Sequence, residues 1–208
     1  MEMRWISGVS RGRLGLISVM LAATSLSACV QTAPEEAMSF AAPPMQWDHH
    51  PEAEEWTEST LVALSTKDPI LSEHVPADIE SWCPGYAEAP VEERRAFWAG
   101  LLSAVARYES TWNPAASGGG GRWIGLMQIS PRSAANYGCE ATSVNALKDG
   151  EQNLECAVEI MSTQVAKDGM VAGGGNRGIG RDWAPLRSSE KRAAMAAWTS
   201  QQPYCQAG

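Results

Sequence analysis

The sequence predicts a mainly helical domain of the α+β kind, with one small β-hairpin or loop inserted among the helices and two disulfides stapling it. Three observations carry that expectation. Apolar residues recur at helical spacing in several separate segments. One glycine-rich stretch, residues 117–125, interrupts them and is unsuited to a helix interior. Four cysteines, Cys83, Cys139, Cys156 and Cys205, are spread over the helical part.

Residues 1–28 stand apart. Arg4, Arg11 and Arg13 make a positive start, residues 14–28 form an uncharged apolar run ending in small residues, and Cys29 follows. This is the layout of a secretory signal, short for a membrane span. Leu26-Ser27-Ala28-Cys29 resembles a bacterial lipobox, which implies cleavage before Cys29 and lipid attachment to it. An uncleaved anchor is the rival reading, and both place the remainder outside the cytoplasm. With Val30 rather than Asp after Cys29, the expected location is the periplasm, lipid-anchored at the outer membrane. Residues 29–80 are expected to be the lipid anchor and a tether. Residues 30–60 are rich in Pro, Ala, Glu and Thr without a sustained period, and residues 61–82 leave short helices or loop open. The domain itself is expected over residues 81–208.

Pro90 followed by Glu92 and Glu93 is a helix start, with proline early and acids in the first turn. Phe97, Leu101 and Val105 recur every four residues, Trp98 and Leu102 widen the stripe, and Asn113-Pro114 ends the helix after Glu109. Ser130-Pro131 caps a short helix through Tyr137. Asp149-Gly150-Glu151 opens another, with Leu154, Val158, Met161 and Val165 as its stripe, reaching about Lys167. A glycine-rich loop follows over residues 169–180. Ser188-Ser189-Glu190 starts a last helix to about Ser200, with Ala193, Ala194, Ala197 and Trp198 as its apolar side.

The net charge is −8, and removal of residues 1–28 takes away three arginines and one glutamate, making the rest more acidic still. That argues against a nucleic-acid partner, which needs a basic face. An even set of four cysteines in an oxidising compartment implies two disulfides, with three possible pairings. The preferred set joins Cys139 to Cys156 across a short loop and Cys83 to Cys205 across the ends of the domain. A zinc site is disfavoured because the chain has no C-x-x-C or H-x-x-x-H pair. No metal and no cofactor is expected. Residues 173–178 match G-x-G-x-x-G, but no apolar strand precedes them and Trp183-Ala184-Pro185 follows, so they are expected to be a loop.

Glu109 is the candidate for chemistry. It lies seven residues after Leu102, two helical turns on and on the same face, so it continues an apolar stripe. Loss of hydration there disfavours its charged form and raises its pKa. A carboxylic acid still protonated near neutral pH is what glycosidic cleavage needs for proton delivery to the leaving oxygen.

The surrounding string sharpens the assignment. Glu109-Ser110, then Asn113-Pro114, then Gly125-Leu126-Met127-Gln128-Ile129-Ser130-Pro131 resembles the soluble lytic transglycosylase (SLT) domain family, with weaker agreement at Asn153-Leu154. The resemblance spans about residues 88–205. It implies a lysozyme-like, mostly helical fold acting on peptidoglycan glycan strands. By position, Glu109 would be the single acid/base. Ser110, Gly125, Met127, Gln128 and Trp198 would bind substrate, with Met127 and Gln128 flooring the N-acetylmuramic acid (MurNAc) site. The implied reaction cuts the β-1,4 bond from MurNAc to N-acetylglucosamine (GlcNAc) and closes a 1,6-anhydro ring on MurNAc. Two departures stand out. Trp198 lies where the family has a tyrosine reaching the glutamate, and residues 118–121 are an insertion of four glycines.

Of nine tryptophans, Trp112, Trp123 and Trp183 lie near motif or loop positions. Most of the nine are expected to fill the core, and residues 183–187 are the segment to watch. Two other readings stay open: a hydrolytic lysozyme of the same fold, for which Glu140 and Glu155 are poorly placed as a second carboxylate, and a catalytically weak peptidoglycan-binding scaffold.

Overall fold

A computed structural model describes residues 42–67 and 69–206. The leader, the lipidation candidate Cys29 and the first part of the expected tether lie outside them. The described elements are α1 (Ala53–Thr66), α2 (Pro69–Glu73), α3 (Val91–Glu109), β1 (Ser117–Gly118), β2 (Trp123–Ile124), α4 (Pro131–Tyr137), α5 (Val144–Leu147), α6 (Gly150–Asp168) and α7 (Ser189–Thr199). Short 3-10 turns at Ile79–Ser81, Gly178–Arg181, Ala184–Arg187 and Pro203–Cys205 connect them. The fold is the mainly helical α+β architecture expected, with a two-stranded antiparallel sheet pairing Ser117 with Ile124 and Gly118 with Trp123.

Helix α3 is the axis of the domain. Every residue from 96 to 106 is buried, which marks a helix enclosed on all sides rather than one with a single apolar stripe. α1, α2, α7 and the C-terminal turn pack around it. Gly100 permits the closest of these approaches, since a Cβ there would collide with the Tyr204 hydroxyl. Trp98 on α3 donates from Nε1 to the Leu71 carbonyl at 2.6 Å and to the Tyr86 hydroxyl at 2.9 Å, so this buried indole leaves no polar atom unpartnered.

The helix ends follow local chemistry. Ser130, Asp149 and Ser188 each accept a hydrogen bond from the backbone N–H three residues on, satisfying otherwise free first-turn donors. Gly138 and Gly169 close α4 and α6 in the left-handed conformation. Two disulfides join Cys83 to Cys205 and Cys139 to Cys156, with Cα separations of 4.6 and 5.1 Å.

Two expectations need correction. Residues 42–67 and 69–80 do not form a tether. Met45, Trp47, Trp56, Ala63 and Leu64 are buried, and α1 packs on α6 and α3. Trp47 Nε1 donates to Thr57 Oγ1 at 2.9 Å, and Gln46 N donates to Ser103 Oγ on α3 at 3.0 Å. The composition of this segment hid its few large apolar residues among Glu, Thr and Ala. The buried side of α7 was also misplaced. Met195 and Thr199 are its buried residues, while Ala193, Ala194 and Ala197 face solvent. Alanines carry too little apolar area to fix a helix's rotation, and Met195 decides it.

Trp47→Ala is expected to destabilise the protein by about 3–5 kcal/mol, read by denaturant unfolding. A change under about 1 kcal/mol would mean that this N-terminal segment is not part of the core.

Candidate active site

Glu109 closes α3 at the edge of a cleft of about 450 Å³. Trp123, Gln128, Ile129, Ser130 and Ser133 line it from the hairpin side, Ile160 from α6, and residues 181–184 and 187 from the loop before α7. Burial pushes the Glu109 carboxyl up to about 7, with the Lys191 charge pulling weakly the other way. Among the described residues, no group hydrogen-bonds to this carboxylate. Lys191 rests over the ring of Tyr108, 5.3 Å from its centroid.

Immediately after Glu109 the chain reverses. Ser110 ends the helix, and Thr111 and Trp112 take φ of 53° and 56°. Left-handed backbone at two successive non-glycine residues costs roughly 1–2 kcal/mol each. Trp112 is held there by a 2.9 Å hydrogen bond from Nε1 to the Ser103 carbonyl. The reversal stops α3 at the carboxylate and sends the chain into the hairpin.

The Gly-Leu-Met-Gln segment is fixed by one buried amide. Asn153 on α6 donates from Nδ2 to the Ile124 and Leu147 carbonyls, at 3.0 and 2.8 Å, and accepts from Met127 N at 2.8 Å. Gly125, at φ 79°, leaves room for this amide, because a Cβ would collide with the Leu147 carbonyl and Asn153 Nδ2. Gln128, at φ 49°, turns its side chain back to donate to the Gly125 carbonyl at 2.9 Å. Trp183 Nε1 donates to the Met127 carbonyl at 3.0 Å, tying the loop before α7 to the same segment.

The structure thus brings Glu109 and Gln128 together and distributes the other expected site residues elsewhere. Ser110 lies beside Glu109 but bonds back to the Ala106 carbonyl at 3.3 Å and is not among the lining residues. The Met127 side chain is fully buried, and Gly125 acts through backbone space. Trp198 packs against Gly100, nine residues before Glu109 and so roughly 13 Å away along the helix. Helix α7 instead sends Lys191 toward the glutamate. Sequence reasoning singled out residues 183–187, Arg187 among them, without a role, and missed Arg181, Asp182, Lys191 and the anchoring role of Asn153. A charged residue in an irregular segment has no periodicity to betray it, and only residues 183–187 hinted at this wall.

A family model described as the transglycosylase SLT domain matches residues 89–197. The chain belongs to this family. The matched SLT region runs from the start of α3 into α7 and contains Glu109, the hairpin and Asn153. Solved structures of Bd0314 DslA are similar over more of the chain. One glutamate-to-glutamine mutant is 30% identical with a TM-score of 0.72, covering 79% of this chain and 98% of that one. The wild-type form is 29% identical with a TM-score of 0.72, covering 80% of this chain and all of that one. No curated protein matches the chain at a significant level. As an SLT protein, this chain has a lysozyme-like fold and a cleft for peptidoglycan glycan strands.

Two measurements check the site. Asn153→Ala is expected to cost about 2–4 kcal/mol, since Met127 N and the Leu147 carbonyl lose a buried partner while the Ile124 carbonyl keeps only Ile129 N, and to lower activity by releasing Gln128. Unfolding and turnover together read this. The raised Glu109 pKa also has a stability consequence. The folded protein keeps a proton that the unfolded chain releases near 4.5, so the associated stabilisation is complete below that pH and lost as pH rises through about 7. Glu109→Gln, neutral throughout, is expected to melt above the wild type at pH 8 and to gain little at pH 4.

Proposed function

We propose that the protein is a lytic transglycosylase that cuts the MurNAc–GlcNAc β-1,4 bond with Glu109 as its only acid/base. One observation carries the reading: a half-buried carboxyl, raised to about 7, stands in the cleft beside the Gly-Leu-Met-Gln segment. At neutral pH a large fraction of Glu109 is protonated, so it can give its proton to the glycosidic oxygen as that bond breaks. The positive charge left on the MurNAc ring is carried by its N-acetyl group or by the oxocarbenium ion itself. Glu109, now an anion near Lys191, takes the proton of the C6 hydroxyl. The C6 oxygen closes on C1 and gives the 1,6-anhydro end, with Glu109 protonated again.

Gln128 lines the sugar site directly in this reading, while Gly125 and Met127 shape it from behind. Lipid attachment at Cys29 would hold the enzyme at the outer membrane, facing the periplasmic wall. A hydrolytic reaction is the second reading, favoured by Asp182, a second carboxylate lining the same cleft.

Purified sacculi are expected to release anhydro-muropeptides, lighter by one water than hydrolysis products in mass spectrometry. Reducing-end products would instead assign hydrolysis, and binding without release would leave a scaffold. Glu109→Gln is expected to lower the rate by about 10²–10⁴-fold. In the wild type the rate should fall as pH rises through about 7, where Glu109 loses the proton it must donate.

A further inference from the structure

The loop before α7 carries two arginines held in the same manner. Arg187 donates from Nε to the Gly180 carbonyl at 3.0 Å and from Nη2 to the Arg181 carbonyl at 2.5 Å. Arg181 donates from Nε and Nη2 to the two oxygens of Asp168, at 2.6 and 2.9 Å. In each, the Nε–Nη2 edge faces protein. The other edge, made by Nη1 and the second Nη2 hydrogen, has no protein acceptor among the described residues. That edge is a planar fork matched to a carboxylate. Both side chains are exposed and line the cleft that contains Glu109.

The two differ in charge. Arg181 is balanced by Asp168, whose carboxyl it draws down to about 2. The partners of Arg187 are neutral carbonyls, and among the described residues no carboxylate forms an ion pair with it. Asp182 adds a negative charge to the same loop, but its Oδ2 already accepts from Tyr137 Oη at 3.0 Å and Gln164 Nε2 at 2.6 Å. The loop is itself fixed. Asp78 accepts from the N–H groups of Val171, Ala172 and Gly173, and Asp168 from Gly178 N. A guanidinium oriented in advance loses little freedom when it captures an anion. In a chain of net charge −8, an arginine kept in the cleft with its charge uncompensated marks a place for one.

We propose that Arg187, assisted by Arg181, takes a substrate carboxylate in this cleft and so selects glycan strands that carry one. The inference rests on the peptidoglycan reading above, which supplies two sources of that group: the lactyl carboxyl of an unsubstituted MurNAc and the free carboxyls of the stem peptide.

The test compares wild type, Arg187→Gln and Arg187→Lys on three polymers. These are intact sacculi, sacculi stripped of stem peptides by an amidase, and intact sacculi whose carboxyls have been converted to amides. Wild type is expected to cut the amide-converted polymer about 10- to 100-fold more slowly than intact sacculi. Arg187→Gln should cut intact sacculi at that reduced rate and lose nothing further on the amide form. Arg187→Lys should fall between, keeping the charge without the fork. A defect of Arg187→Gln on intact sacculi that disappears on stripped sacculi assigns the stem peptide, and one that appears or grows on stripped sacculi, where the amidase has freed the lactyl carboxyl, assigns the lactyl group. Equal losses on intact and amide-converted sacculi would reduce Arg187 to a brace for its loop and overturn the proposal, as would a wild type indifferent to the conversion whose Arg187→Gln variant also cuts stripped sacculi at the full rate. Co-sedimentation of Glu109→Gln, with and without Arg187→Gln, on the same polymers separates the two readings. If nothing is cut, carboxyl-dependent binding lost with Arg187 still supports this site, and binding that ignores both overturns it.

Discussion

Helix α3 is buried on every side from residue 96 to residue 106, and the site depends on that enclosure. A helix wrapped by its neighbours cannot shift or fray without opening the core, so its last turn is delivered to a fixed place. Glu109 is the first acidic residue after the enclosed stretch, and it emerges where the packing stops and the cleft begins. Its half-burial follows directly from the length of the apolar run before it. The raised carboxyl pKa is an electrostatic result of core packing, since burial is the larger of its two causes.

The cleft is built from features that cost stability. Thr111, Trp112 and Gln128 adopt left-handed backbone, and Glu109 has lost part of its hydration. Such strain persists only where the surroundings over-determine it. Here the Asn153 amide joins Ile124, Met127 and Leu147, and the Trp183 indole joins the loop before α7 to Met127. Two disulfides add to the restraint from a different direction, since a cross-link closing a long stretch of chain limits the unfolded ensemble.

The loop over residues 169–188 sends Val171, Ile179, Trp183 and Leu186 into the core, and its backbone is organised by carboxylates. Asp78, far away in sequence, gathers three successive backbone N–H groups, and Asp168 ties Gly178 and Arg181. These acids account for part of the chain's negative charge while leaving the cleft-facing side of the loop with arginines. An overall charge balance describes the partners that the whole surface repels; it does not describe a local cleft in which Arg181 and Arg187 stand beside Asp182.

Sequence alone determined α3, α4 and α6 and their ends, because they carry strong stripes or side-chain caps that act within a few residues. It singled out Glu109 as the candidate acid, chiefly through the resemblance of Glu109-Ser110 and Gly125-Leu126-Met127-Gln128 to the SLT family, and it favoured the disulfide pairing that the fold adopts. Tertiary structure decided the rest. Trp47 and Trp56 become core because α6 and α3 lie against them, a fact no local pattern in a Glu- and Thr-rich segment contains. Trp198 lies away from the glutamate because it sits two turns further along α7 on the same face, beside Gly100, and Lys191 is the residue of that face near Glu109. Arg181, Asp182 and Arg187 reach the cleft through hydrogen bonds to residues distant in sequence or to backbone carbonyls of their own loop. Local chemistry acts over a turn or two of chain and is legible there; long-range hydrogen bonds and burial exist only once the chain has folded.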